Sequence, residues 1–208
     1  MRQCTANAPS YAHLNTKYTY YIYRMRILIV NTSERTGGAA VAAGRLVSAL
    51  NNSGVQARML VRDKQTTNPV VVALPKGVRN RWRFLWERWT IFWHLHFNRH
   101  NLFAIDVANT GADITTLREF KQADVIHLSW INQGMLSLST IRKIVNTGKP
   151  VVWTMHDIWP ATAICHLTLG CNNFKQQCRR CKYLPGGGGD NDLSAKVWNK
   201  KKRIYEKS

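Results

Sequence analysis

Four cysteines within seventeen residues carry the densest chemistry in the chain: Cys165, Cys171, Cys178 and Cys181, spaced C-x5-C-x6-C-x2-C, with His166 beside the first. Four soft ligands in so short a segment suit tetrahedral zinc, and a terminal C-x-x-C is a common knuckle spacing. Such a metal would be structural, because protein would fill every position and leave none for water. A disulfide pair or four free thiols are the alternatives. A second, dispersed group consists of Gly37-Gly38, His127 with Ser129, and His156-Asp157. Glycines let the backbone approach a ligand closely, and a helix opening behind them aims its N–H groups and positive dipole end at it, which suits a phosphate. Histidine supplies proton transfer or hydrogen bonding near neutral pH. The glycine motif is Thr36-Gly-Gly-Ala39, not G-x-G-x-x-G, and no G-x-x-x-x-G-K-S/T occurs, so a P-loop nucleotidase is disfavoured.

An alternation of strands and helices would position these groups. Met25 opens the apolar run Arg26 to Asn31, which reads as a strand buried on both faces. Beyond Gly37-Gly38, the residues Ala39, Ala43, Leu46, Val47 and Leu50 recur at helical spacing and predict one buried face, ended by Asn51, Asn52 and Gly54. Val55 to Val61 supplies a second strand. Asp124 to Leu128 and Val151 to Met155 read as two more, with Leu138 to Val145 as the crossover helix between them. This order predicts an α/β fold: a Rossmann-like, doubly wound, mostly parallel sheet. Ligands bind such sheets at the carboxyl ends of the strands, which directs attention to Thr36–Ala39, His127–Asn132 and His156–Trp159.

The chain has 208 residues, 45% of them hydrophobic and 20% charged, enough for a packed core. The longest apolar stretches, such as Val70 to Leu74, are far shorter than a membrane span. Thirty Lys and Arg against eleven Asp and Glu give a net charge of +19, which points to an anionic partner. The excess is uneven: residues 101–174 balance at 5 against 5, whereas residues 76–100 carry 6 against 1 and residues 175–208 carry 10 against 3. Residues 1–24 lack the apolar core and cleavage site of a secretory signal and are expected to be a disordered leader or to precede the true start.

The string Met25-Arg-Ile-Leu-Ile-Val-Asn, Gly37-Gly-Ala-Ala, Asp124-Val-Ile-His-Leu-Ser-Trp-Ile, Gly148-Lys-Pro-Val-Val-Trp-Thr-Met-His-Asp-Ile-Trp-Pro and the cysteine segment resembles the amino-terminal half of bacterial family 4 glycosyltransferases, the group that builds surface polysaccharides. The resemblance covers residues 25–208. It implies the GT-B architecture of two Rossmann-like domains, with residues 25–190 as the acceptor-side domain and 191–208 opening a helix toward a C-terminal donor domain outside this chain. It also implies retaining transfer of a sugar from a nucleotide-diphosphate donor to a glycan or lipid-linked acceptor. No catalytic metal is implied. Gly37, Gly38 and Ala39 would lie against the donor diphosphate, with Trp130 and Asn132 nearby. Relatives often read His-x-His where this chain has His127 and Ser129, so the catalytic role falls to His127, to Ser129 or to His156, with Asp157 at the cleft mouth. The 208 residues alone are expected to be inactive. The resemblance places the protein in the cytoplasm, peripheral on the inner face of the plasma membrane.

Residues 79–98 hold half of the eight tryptophans. Trp82, Leu85, Trp86, Trp89, Phe92, Trp93 and Phe97 share one arc of a helix, opposite Arg83, Glu87 and His94. Such a stripe either packs on the sheet or meets an anionic membrane surface, and the apolar Phe84, Ile91 and Leu95 on the far side favour packing. Two other functions compete with sugar transfer. A basic, zinc-stapled nucleic-acid-binding module would account for the charge, but no RRM, KH or helix-turn-helix pattern is present, so no nucleic acid is expected. A dinucleotide-dependent enzyme would need an acid closing the second strand, near Asp63, and the glycine fingerprint is incomplete.

Overall fold

A computed structural model describes residues 25–75 and 77–206; the leader assigned to residues 1–24 lies outside them. Five strands, β1 (Arg26–Ser33), β2 (Gln56–Asp63), β3 (Val71–Ala73), β4 (Val125–Leu128) and β5 (Val151–Trp153), form one sheet in the order β3-β2-β1-β4-β5. Every pairing is parallel. The helices are α1 (Gly38–Asn52), α2 (Val78–His94), α3 (Arg118–Gln122), α4 (Leu138–Val145) and α5 (Leu193–Tyr205). The expected Rossmann-like α/β sheet is therefore present, with β3 as an edge strand that the sequence reading did not assign.

The central strand β1 explains the apolar runs. Leu28 and Val30 enter the core that also holds Ile91, Ile126, Ile141, Trp159 and Ile204. Ile29 points the other way, into a smaller core with Ala43, Val47 and Met59 beneath α1. Period-two alternation into two covered faces leaves no polar position between Ile27 and Val30. On α1 the fully buried residues are Ala40, Ala43 and Val47, while Ala39 is only half-buried because its turn faces the end of the sheet. Helix α4 spans the predicted residues, and Ser137 caps it by accepting from the Thr140 N–H at 3.1 Å. Helix α5 returns to the main core through Val197 and Ile204.

Helix α2 reverses the expected packing. Glu87, Arg88 and Ile91 are buried, whereas Trp82, Leu85, Trp86, Trp89 and Trp93 are exposed. Burying two ionisable groups is costly unless each is paired or hydrogen-bonded. Here the Arg88 guanidinium pairs with Asp106 and donates to the Leu102 carbonyl at 2.7 Å, and Glu87 accepts from the Ala108 N–H at 2.7 Å. The segment 101–108 thus supplies the partners that let the polar side face inward. Among the described residues no helix is long and apolar enough to cross a membrane.

Candidate functional site

From β1 the chain runs outward through β2 and β3, then crosses back to add β4 and β5 on the other side. The strand order reverses between β1 and β4, and a crevice opens there at the carboxyl ends of the strands. The cleft has a volume of about 600 Å³. One wall is the turn from β1 into α1, with Thr36, Gly37, Gly38 and Ala39; the other carries Trp130, His156 and Asp157; Arg62, Asp63 and Gln133 also line it.

Each wall has a local cause. Gly37 precedes α1 at φ 90°, a left-handed conformation that suits glycine and leaves α1 without a side-chain cap. The first turn of α1 carries no acid, so its unpaired N–H groups and positive dipole end face the cleft unneutralised. The end of β1 grips the opposite wall. Thr32 Oγ1 donates to the carbonyls of Trp130 at 2.9 Å and Asn132 at 3.0 Å, and Asn31 Oδ1 accepts from the Trp130 N–H at 2.9 Å.

His156 Nε2 lies 2.9 Å from Ser129 Oγ, which sits behind the wall. Asp157 is more tightly held. Its Oδ1 accepts from the Trp159 N–H at 2.8 Å, and its Oδ2 accepts from Trp130 Nε1 at 2.8 Å and from His166 Nδ1 at 2.7 Å. Burial opposes its charge, but the hydrogen bonds and positive charge of His166, with the two N–H donors, hold its carboxyl below the usual range. His166 Nε2 lies 3.1 Å from Asp106 Oδ2. Burial disfavours the imidazolium, yet the two flanking carboxylates raise its pKa to about 9. The cleft aspartate thus continues into a chain, Asp157–His166–Asp106–Arg88, that becomes fully buried at Asp106 and ends on α2.

Of the residues singled out in the sequence, Gly37, Gly38, Ala39, Trp130, His156 and Asp157 line one cleft. His127 does not line it: Nε2 bonds Thr154 Oγ1 at 2.8 Å, Nδ1 has no partner among the described residues, and burial followed by the nearby His156 lowers its pKa. Asn132 is buried and contributes its carbonyl to Thr32. The sequence reading missed Asp106 and Arg88 altogether. The only signal for them is the spacing of Glu87 and Arg88 with Phe84, Ile91 and Leu95 on one helical face.

Part of the chain is similar to a glycosyltransferase. Over 63 residues it is 36% identical to a protein of Escherichia coli (strain K12) provisionally named a colanic acid biosynthesis glycosyl transferase, WcaC. The match covers 29% of this chain and spans 15% of that protein's length. No family model matches the chain, and no solved structure matches it.

Next to this site, Cys165, Cys171, Cys178 and Cys181 line one cavity of about 20 Å³ as free thiols. Burial, with the neighbouring cysteines, pushes Cys178 and Cys181 up to about 11. Among the described residues no group of three or more His, Cys, Asp or Glu is placed to hold a metal ion. Beside the cysteines Lys201 of α5 is buried, with Nζ donating to the carbonyls of Trp159 at 2.6 Å and Thr162 at 2.9 Å. It ties α5 to the turn that follows Asp157.

Proposed function

We propose that the chain is the acceptor-side half of a retaining family 4 glycosyltransferase of GT-B architecture, working in polysaccharide synthesis at the cytoplasmic face of the membrane. It would move a sugar from a nucleotide diphosphate to a glycan or lipid-linked acceptor, with the nucleotide held by a second domain outside these residues. The observation that carries this reading is the cleft itself: an uncapped helix N-terminus on one wall faces a histidine and a fixed carboxylate on the other. The N–H groups of α1 would take the diphosphate, whose charge builds as the sugar leaves. His156, oriented by Ser129, would bond the transferred sugar, and Asp157 would accept from its hydroxyls.

A second reading has one observation in its favour. Asp63 closes β2 and lines the cleft beside Gly37-Gly38, where dinucleotide-binding folds hold a ribose hydroxyl. Titrating the protein with nucleotide-diphosphate sugars, with NAD and with short DNA duplexes separates the classes. The proposal expects saturable binding of a nucleotide sugar that weakens in His156→Ala and barely changes in Asp63→Asn. Preferential NAD binding abolished by Asp63→Asn would replace it.

A further inference from the structure

The aromatic side of α2 is the largest feature that the cleft does not use. Trp82, Trp86, Trp89 and Trp93 are each more than half exposed, and Phe97 joins them just past the helix. Phe97 packs edge-on to Trp93 with centroids 5.3 Å apart and to Phe92 at 5.4 Å. To reach them the chain turns through His96 at φ 52° and Phe97 at φ 63°. A bulky residue rarely adopts the left-handed region, because its Cβ crowds the backbone there. Here the turn gathers aromatic rings in solvent, the opposite of what core packing rewards.

The charges that residues 76–100 place around the face are basic. Arg79, Arg81 and Arg99 are exposed beside the rings. Glu87, the single acid of residues 76–100, lies on the buried side of the helix with its pKa raised to about 8 by burial. Within residues 76–100 no carboxylate lies on the outer side; Asp113 lines a pocket with Arg79 and is paired with Lys143 at 2.6 Å. A tryptophan stripe flanked by arginines on the convex flank of one helix matches the boundary between acyl chains and anionic headgroups. Self-association would bring two sets of arginines together. Single-stranded nucleic acid is usually held in a basic groove, not on a convex flank.

We infer that this face of α2 docks the protein onto an anionic phospholipid bilayer. The opposite side of the same helix reaches the cleft within two side chains: Phe84 lies under the Arg62 guanidinium, 5.5 Å from its centroid, and Arg62 lines the cleft and donates to the Gln133 carbonyl. The turn at Gly134 is pressed close enough to α2 that a Cβ there would lie 3.0 Å from the Phe84 nitrogen. Docking through the tryptophans thus holds the cleft one helix diameter from the membrane. Resting on the glycosyl-transfer reading, this narrows the acceptor to a lipid-linked one, presented at the membrane surface.

The test is co-sedimentation of the 208-residue chain with vesicles of phosphatidylcholine alone and of phosphatidylcholine mixed with phosphatidylglycerol, with no sugar nucleotide present. Binding is expected for the anionic vesicles only, with a blue shift of tryptophan emission. Trp86→Ala with Trp93→Ala, which leaves the net charge untouched, is expected to weaken it about tenfold or more. Arg79→Gln with Arg81→Gln should weaken it more than the equally charged change Lys196→Gln with Lys200→Gln on α5, which controls for net charge. Circular dichroism confirms that each variant is folded. Absence of vesicle binding, or binding unchanged in the tryptophan variant, overturns the inference. So does a tryptophan variant that instead dissolves a dimer or loses single-stranded oligonucleotide binding. Nucleotide-sugar titration of the same tryptophan variant is expected to be unchanged, so failure of docking and failure of the transfer reading are told apart.

Discussion

His166 Nδ1 lies 2.7 Å from Asp157 Oδ2, so a largely covered histidine fixes the orientation of the carboxylate that lines the cleft. Its other nitrogen faces Asp106 at 3.1 Å, and an imidazolium satisfies both contacts at once. The pKa, raised from 6.5 to about 9, means that the folded protein binds this proton more tightly than the unfolded chain does. The stabilisation is fully present below about pH 6.5 and is lost as pH rises through about 9, at most roughly 3 kcal/mol. Thermal unfolding should show the melting temperature falling across that window. His166→Gln should be less stable than the parent at pH 6 and should lose the part of the slope that lies between about pH 6.5 and 9. In Asp157→Asn the His166 pKa, read by NMR, should drop by about one unit or more.

Glu87 adds to the same slope from a different cause. Burial, and then Asp106, raise its pKa from 4.5 to about 8 against the pull of Arg88, so the folded state holds a proton that the unfolded chain has released. Stability therefore falls as pH climbs from about 4.5 to about 8. Glu87→Gln keeps the oxygen that accepts from the Ala108 N–H and removes the titration. At pH 8 it is expected to match or exceed the parent in denaturant unfolding, whereas a loss above about 2 kcal/mol would show that the ionised carboxylate is the stabilising form.

Gly111 tests the packing that supports the cleft from below. A Cβ on it would come within 2.2 Å of the Ser137 nitrogen and 2.3 Å of the Leu136 carbonyl carbon, both backbone. Neither can yield as a side-chain tip would. Gly111→Ala is expected to destabilise by about 2 kcal/mol or more, measured by denaturant unfolding, because the segment pairing Ala112 N–H with the Met135 carbonyl at 2.8 Å must move apart.

Much of the frame was legible because strands buried on both faces leave near-continuous apolar runs and crossover helices leave a stripe. Met25 to Asn31 and Leu138 to Val145 are such cases, and the cleft residues followed from where those runs end. The aromatic helix was not legible in the same way. Four tryptophans read as core material, and the burial of Glu87 and Arg88 depends on Asp106 and Ala108, about twenty residues later in an irregular segment that carries no pattern of its own. His127 misled for a related reason: it stands at a strand end, but its side chain bonds Thr154 on β5's outgoing turn instead of reaching the cleft. The edge strand β3 is three residues long, too short for alternation to register.

The central claim, that the uncapped start of α1 receives a diphosphate, is tested most directly by Ala39→Asp. Ala39 lines the cleft in the first helical turn, which carries no acid. A carboxylate there complements the helix dipole and should hold or raise the melting temperature by an amount equivalent to about 0.5 kcal/mol. It should also repel an incoming diphosphate. Calorimetric titration with nucleotide-diphosphate sugars is predicted to show saturable binding to the parent and about tenfold or greater weakening in the variant, at unchanged or higher stability. Equal affinity in the two proteins, or no saturable binding by the parent, would contradict the account.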